Sequence, residues 1–509
     1  MKFNRTANAK RAIVSGMIHK ILSLIVPFLM RTLIIHTLGN LYLGLNSLFT
    51  SILNALNLAE LGIGSALVFA MYKPVAENDH EHVCALLNVY RLSYYLIGSV
   101  VLVCGFILLP FLPGMIHGEY PAGINIYVIY LLHLAATVSG YFFQGYRRSI
   151  LDAYQRTDII NKVSIVMDVL FYAIQAMALL KFHNIYLYVG ASVFRSIVFN
   201  LIIWYITRKK FSDIKPAGRI SRQEQNLILK KTGALIGHKA GTVVFNSIDN
   251  ILISAFIGLN IVAVYNNYFH VFNAVSGLFF MLVSGLTSIV GNYLIKENQS
   301  SIVRLFNTLH FYIAMIVCFC CTCLLNMYQP FMSAWVGDES LLPFSSVILF
   351  TVLFFIVKIK TVGMLFKDAA GLWEQDALKP YIQIAVDLVI DLILLRKIGV
   401  NGAIISSIAC IMIGFVYETA VVFKYCLKIS PMHFCMNTGL YLGTTMISCT
   451  AAMMLCRLSP IRNGFAAVFV NFMISTAVAV VTFVICTFRT KEFSQAAEFM
   501  RSKIRTKRD

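Results

Sequence analysis

Charged residues stand inside long apolar segments of this chain, and their spacing suits holding an anion. Lys20 and Arg31 lie eleven residues apart in one apolar run. At about 100° per residue, eleven positions return to within about 20° of the same helix face, about 16 Å further along the axis. One face of that helix is therefore a cationic stripe, with Ser23 and Pro27 beside it. A second stripe carries Lys239 and Asn250, and Arg195 stands in a third apolar segment. Arg91, Lys358 and Lys360 add further cations in or beside such segments. A charge in hydrocarbon costs about 2.5–3.5 kcal/mol on insertion scales. Snorkelling to the headgroups relieves that cost near helix ends, which suits Arg91 better than Arg195, Lys358 or Lys360. For Lys20 and Arg31 together a water-filled cavity is the better reading. Fixed cations there would bind an anionic group that must cross a low-dielectric barrier. Arg grips a phosphate bidentately and Lys supplies a point charge, so the implied solute is an anion such as phosphate or diphosphate.

The acids need a separate account. Asn54, Asn57 and Glu60 recur every three residues and make one polar helix stripe. Asp168, Asp249, Asp387, Asp391 and Glu418 lie in other apolar segments. Two readings stand side by side. Each acid is ion-paired with one of the cations, or Asp387, Asp391, Asp168, Glu60 and Asp249 serve a proton or Na⁺ site coupled to transport, since a desolvated carboxylate binds protons more tightly. Asp387 and Asp391, one turn apart, are the best single proton-site candidate, because two such carboxylates are not both ionised cheaply.

Bond-breaking chemistry finds little support. The chain has no GxSxG, HExxH, Walker loop or dinucleotide fingerprint in a strand–helix setting. His80 and His82 sit in the acidic stretch ENDHEH, which reads better as a solvated turn than as a metal site. The 12 cysteines fall almost wholly within apolar segments, Cys318, Cys320, Cys321 and Cys323 in one of them, where they read as core residues. No catalytic residue, metal or cofactor is expected.

The elements that position these charges follow from composition. The 509 residues are 59% hydrophobic and 13% charged, with a mean hydropathy of +0.76. Soluble domains are about 45–50% apolar and about 25% charged, so this is an all-α polytopic membrane protein. About fourteen transmembrane helices are expected, near 12–35, 43–70, 85–110, 123–145, 161–181, 185–206, 233–257, 262–291, 306–328, 342–365, 380–396, 401–423, 434–456 and 463–487. The net charge of +19 does not point to nucleic acid, because no foldable soluble unit presents a basic patch. With a cytoplasmic N-terminus, 29 Lys and Arg fall in inside segments and five in outside loops, which places both termini in the cytoplasm.

An offset of 219 residues runs through the chain. His19 and Lys20 return as His238 and Lys239, Gly39 as Gly258, and Asp168 as Asp387. The basic stretch 207–231 divides the two sets of segments. The expected organisation is an N-terminal lobe over 1–206, a basic cytoplasmic linker over 207–231 and a C-terminal lobe over 232–425. An extra helix pair over 426–487 and a basic cytoplasmic tail over 488–509 follow. Two pseudo-symmetric six-helix lobes of this kind place a solute path at their interface.

Four segments carry a family resemblance: ELGIGSALVFAMYKPVAEND (60–79), LDAYQRTDIINKV (151–163), SIDNILISAFIGLNIVAVYNNY (247–268) and KPYIQIAVDLVIDLILLRKIGVNGAIISS (379–407). Their order and spacing resemble the bacterial polysaccharide-unit flippases of the multidrug/oligosaccharidyl-lipid/polysaccharide exporter superfamily. The resemblance implies a two-lobed bundle whose central cavity opens alternately to either side of the bacterial plasma membrane. It implies a transporter, not an enzyme, that moves a polyprenyl-diphosphate-linked oligosaccharide from the inner to the outer leaflet. With no ATPase domain in the sequence, transport would draw on an ion gradient, the membrane potential or the substrate gradient. Lys20, Arg31 and Lys239 would then hold the diphosphate and sugar head group, with Arg195 as a further cation of the site. The expected partners are that lipid-linked oligosaccharide, a coupling H⁺ or Na⁺, membrane lipids and, as further candidates, other polysaccharide-assembly proteins. The alternatives are a drug or organic-cation exporter of the same superfamily, which would favour an acidic cavity, and a membrane polymerase or acyltransferase acting on the same glycolipids. The first is disfavoured by the cationic stripes, the second by the short outside loops.

Overall fold

A computed structural model describes residues 5–226, 228, 247–376, 378–461 and 464–495. Among them every regular element is helical. The first compact unit runs from Met1 to Ala263 and the second from Val264 to Asp509.

The first unit begins with α1 (Arg5–Thr37), α2 (Asn40–Leu56), α3 (Leu58–Glu77) and α4 (His80–Leu108). It continues with α5 (Ile126–Phe142), α6 (Arg148–Ala153), α7 (Thr157–Leu180) and α8 (Ile185–Lys210), then α9 (Ser247–Phe256). From α10 (Leu259–Val283) the chain passes into the second unit. There α11 (Leu286–Lys296), α12 (Gln299–Val336), α13 (Phe344–Ile359) and α14 (Thr361–Ala369) precede α15 (Lys379–Ile398), α16 (Val400–Val421), α17 (Met432–Leu458) and α18 (Gly464–Thr487).

Among the described residues ten helices are long and apolar enough to cross a membrane, and the pair Ile126–Phe142 and Gly145–Ala153, bent by 52°, is a broken span or a re-entrant loop. This is a multi-pass membrane protein. Most of the remaining expected spans have helices that fail on simple grounds. The second expected span is interrupted at Asn57, leaving α2 only 17 residues long. The helix α15 carries Lys379, Asp387, Asp391, Arg396 and Lys397 in 20 residues. Most of the seventh expected span lies outside the described residues.

Polar side chains cap the starts of four helices. Asp79, Asn125, Asn184 and Asn298 each accept a hydrogen bond from a first-turn backbone N–H of α4, α5, α8 and α12. Gly39 and Gly258, related by the 219 offset, precede the first residues of α2 and α10 with φ of 99° and 126°. That backbone favours glycine at both places. Gly44 of α2 lies against α10, where a Cβ would stand 2.0 Å from the Leu259 carbonyl oxygen, so no larger residue fits without moving the backbone.

Large apolar side chains face outward along most helices, as lipid contact requires, among them Val14, Met17, Ile21, Ile25 and Leu29 of α1. In the second unit α12 is central and packs against α13, α17 and α18. Much of it is buried, whereas little of α1 is. The described part of the basic stretch after α8 packs onto the first unit. Ile214 and Ile220 are buried, Asn88 donates to the Gly218 carbonyl at 3.0 Å, and His82 meets Glu224 at 2.9 Å. After α18 a short turn of helix brings Glu492 beside His433 (2.7 Å) and Asn437 (3.0 Å) of α17. Burial opposes the Glu492 charge, yet the hydrogen bonds to its carboxylate, His433 and Asn437 among them, outweigh it and hold the group below the usual glutamate range.

Candidate functional site

In the first unit the cations of α1 and α8 have different surroundings. Lys20 is exposed on α1, and Arg31, three turns on, is half-buried. Arg195 of α8 instead points at α7, where its Nε lies 3.0 Å from Asp168 Oδ1 and its Nη2 donates to the same oxygen. His19 of α1 approaches the other oxygen of Asp168, with Nε2 3.2 Å from Oδ2. The carboxylate, only 6% exposed, is thus gripped from two helices. Pairing of this kind offsets the desolvation of Asp168, which alone in the bundle would be an uncompensated buried charge. Asp168 and Arg195, expected in different roles, are brought together as one ion pair. Its third member, His19, repeats in sequence as His238, but His238 and Lys239 lie outside the described residues.

Glu60 stands in the first turn of α3, just past the break at Asn57. Two tyrosine hydroxyls point at it: Tyr94 of α4 donates to Oε1 at 2.8 Å and Tyr141 of α5 to Oε2 at 2.6 Å. The Tyr141 hydroxyl also lies 3.0 Å from Asn57 Oδ1, and Tyr90 donates to the Tyr94 hydroxyl at 3.4 Å. Among the described residues both carboxylate oxygens are satisfied by phenols and not by a cation. The tyrosines are closely packed, with the Tyr90 and Tyr94 centroids 4.8 Å apart and those of Tyr94 and Tyr141 5.4 Å apart. Asp249 is buried on α9, and its neighbour Asn250 donates to Ser51 of α2 at 2.8 Å.

In the second unit Asp387 and Asp391 lie one turn apart on α15 and are 1% and 0% exposed. Ser406 of α16 donates to Asp387 Oδ1 at 2.7 Å. Contact at this level is close: a Cβ on Gly402 of α16 would stand 2.6 Å from the Leu394 carbonyl carbon of α15.

A denser set of charges lies elsewhere in the unit. Lys367 of α14 and Lys379 of α15 share Asp376 Oδ2, with Lys379 Nζ at 2.8 Å, and Lys379 also pairs with Glu418 of α16. Glu418 lies 3.9 Å from Lys367 and 3.8 Å from Lys360. Three lysines therefore surround two carboxylates and tie α14, α15 and α16 together. The sequence exposes Glu418 and Lys360 as charges in apolar runs. It does not expose Asp376, Lys367 or Lys379, which look like ordinary loop charges. Nor does any local pattern announce Tyr90, Tyr94 and Tyr141, because tyrosine is unremarkable in a span.

The arrangement holds separate charged stations inside apolar helices, with exposed or half-buried cations on α1 and hydrogen-bonded acids elsewhere. Fixed sites of this sort can bind and release ions or charged solutes.

Residues 9–287 match the family model described as "Polysaccharide biosynthesis protein". Among curated proteins no sequence matches the chain. The fold is similar to that of the lipid II flippase MurJ in an inward closed conformation, with a TM-score of 0.70 and 14% identity over 93% of this chain and 98% of that one. It is also similar to an inward-facing multidrug resistance MATE family transporter of the MOP superfamily, with a TM-score of 0.63 and 12% identity over 82% and 99% of the two chains. An outward-facing structure of such a transporter gives a TM-score of 0.55 and 14% identity over 82% and 96%.

Proposed function

Because the chain belongs to the polysaccharide biosynthesis protein family, whose model it matches over more than half its length, we propose that it flips a polyprenyl-diphosphate-linked oligosaccharide from the inner to the outer leaflet of the bacterial plasma membrane. The observation that carries this reading is the contrast among the cations of the first unit. Arg195 is committed to Asp168, whereas Lys20 stays exposed on the same helix as Arg31. An exposed lysine within an apolar span is stabilised by an anion that visits it.

In this mechanism Lys20 and Arg31 of α1, with Lys239, hold the diphosphate by charge-assisted hydrogen bonds while the polyprenyl chain stays among lipid tails. Arg195 acts through Asp168: it positions α7 and α8 against α1 and leaves the cargo to Lys20, Arg31 and Lys239. Alternating access then carries the head group across, with both termini in the cytoplasm. Asp387 and Asp391, buried one turn apart, bind the coupling proton or Na⁺, and Asp249 and Glu60 are further stations for it. The protein makes and breaks no covalent bond in the cycle. The organisation into lobes 1–206 and 232–425, with the extra pair 426–487, belongs to the same reading.

The test is complementation in a deletion strain. Lys20→Ala with Arg31→Ala should leave protein level normal, abolish surface polysaccharide and trap an undecaprenyl-diphosphate glycan on the cytoplasmic face. Full complementation by the double variant would refute the reading. Asp387→Asn with Asp391→Asn should remove the pH or Na⁺ dependence of transport in vesicles. New sensitivity to cationic dyes with normal glycan turnover would move the assignment to drug export, the activity named for two of the similar folds.

A further inference from the structure

Lys358 differs from the other buried or half-buried lysines of its unit in the company it keeps. Lys360, Lys367 and Lys379 converge on Asp376 and Glu418. Among the described residues no carboxylate lies within ion-pair distance of Lys358. Its ammonium stands over three phenyl rings, 5.4 Å from the centroid of Phe354, 5.6 Å from Phe279 and 5.9 Å from Phe272. Cation–π attraction holds the ammonium against the ring faces. A ring carries a quadrupole and no net charge, so this cage fixes the position of the cation without neutralising it. The side chain is half-buried and therefore open on one side.

Depth narrows what comes to it. Lys358 lies fourteen residues past Phe344, the first residue of α13, or about 21 Å along the axis. In a hydrocarbon core about 30 Å thick that is well inside the apolar region. A resident phospholipid keeps its phosphate at the interface, so the anion that meets Lys358 is one in passage.

The neighbouring space suits such a molecule. A cavity of about 580 Å³ opens between α10, α12 and α18, lined by side chains such as Val275, Phe279, Met315, Phe319, Cys320 and Phe472. Phe279 belongs to both the cage and the cavity wall. An uncompensated cation beside an apolar cavity is complementary to an amphiphile with one phosphate end.

We propose that Lys358 contacts a phosphate of the lipid-linked cargo partway across the membrane, with the adjoining apolar chain in this cavity. The proposal rests on the flippase reading and adds a cargo-binding cation in the second unit to those of α1.

The test uses the full-length protein in phosphatidylcholine nanodiscs and measures binding of undecaprenyl diphosphate, with undecaprenol as the phosphate-free control. Lys358→Met should weaken undecaprenyl diphosphate binding about tenfold or more, the loss of one charge-assisted contact. Its melting temperature should hold or rise, because methionine fills the phenylalanine cage without a buried charge. Lys358→Arg should retain most of the affinity. Undecaprenol should not distinguish wild type from Lys358→Met. Binding by Lys358→Met as tight as wild type would overturn the proposal. If that occurs while Lys20→Ala with Arg31→Ala still loses binding, the flippase reading survives and only the role of Lys358 falls. Absence of binding by the wild type would overturn both. A lowered melting temperature with unchanged affinity would make Lys358 a packing residue and would equally end the proposal.

Discussion

Replacing Glu418 by Gln removes one of the two anions that hold three lysines in the second unit. With Lys360, Lys367 and Lys379 set against Asp376 and Glu418, the cluster carries one positive charge in excess, and the substitution raises this to two. The site is dry: Asp376 is 0%, Glu418 3%, Lys367 5% and Lys379 8% exposed. Lys367 and Lys379 would then share Asp376 alone, and Lys360 would lose its carboxylate. Breaking a buried pair by removing one partner costs about 3–5 kcal/mol. Lys360 is the most exposed of the lysines and gains some relief from water, which favours the lower end of that range. Lys379→Met acts in the opposite sense. It leaves no excess charge, and each carboxylate keeps a lysine, Asp376 with Lys367 and Glu418 with Lys360 at 3.8 Å. Its cost is that of hydrogen bonds to charged groups, about 1.5–3 kcal/mol. The assay is denaturant or thermal unfolding of the purified protein in one detergent, read by intrinsic fluorescence. Glu418→Gln should be the less stable of the two variants, and Lys360→Met added to Glu418→Gln should recover part of the loss. Equal stability of the two single variants, or a larger loss in Lys379→Met, would refute the argument from charge balance.

Two further outcomes follow from the same physics. Arg195→Met should destabilise the protein by about 1.5–3 kcal/mol, since Asp168 loses its arginine but keeps His19, and adding Asp168→Asn should restore much of it, as a double-mutant cycle in unfolding experiments would measure. Additive losses would mean that the pair is not coupled. Because the Glu492 carboxyl is held below its ordinary range, its contribution to stability is fully present above the unfolded-state value, about 4.3. That contribution is lost as pH falls through the lower folded-state value. Glu492→Gln should therefore lower stability near neutral pH and leave a flatter acid profile; a parallel profile would remove the Glu492 contacts from the account.

Lys20 and Arg31 were legible as a cationic stripe because helical periodicity is a local property, and a charge in an apolar run is conspicuous whatever surrounds it. The spans were legible for the same reason, except where a local defect intervened. Asn57 breaks the polar stripe that joins it to Glu60, so that Glu60 falls in the first turn of a new helix under Tyr94 and Tyr141. The partner of Arg195 is 27 residues away on the neighbouring helix, and no spacing rule links residues on different helices. Asp376 and Lys379 looked like solvated loop charges, yet packing of the loop between α14 and α15 buries both.

The sequence by itself determined that this is an all-helical membrane protein, which residues break its apolar spans, and which family it resembles. Transfer free energy and helical period act over one turn or one span, so neither waits for the fold. Only the tertiary structure decided which of those charges are neutralised. It pairs Arg195 with Asp168 and the lysines of α14 and α15 with Asp376 and Glu418, while it leaves Lys358 among phenylalanine rings. An ion pair depends on the distance between atoms on separate helices, and that distance is set by how helices far apart in the chain come to pack.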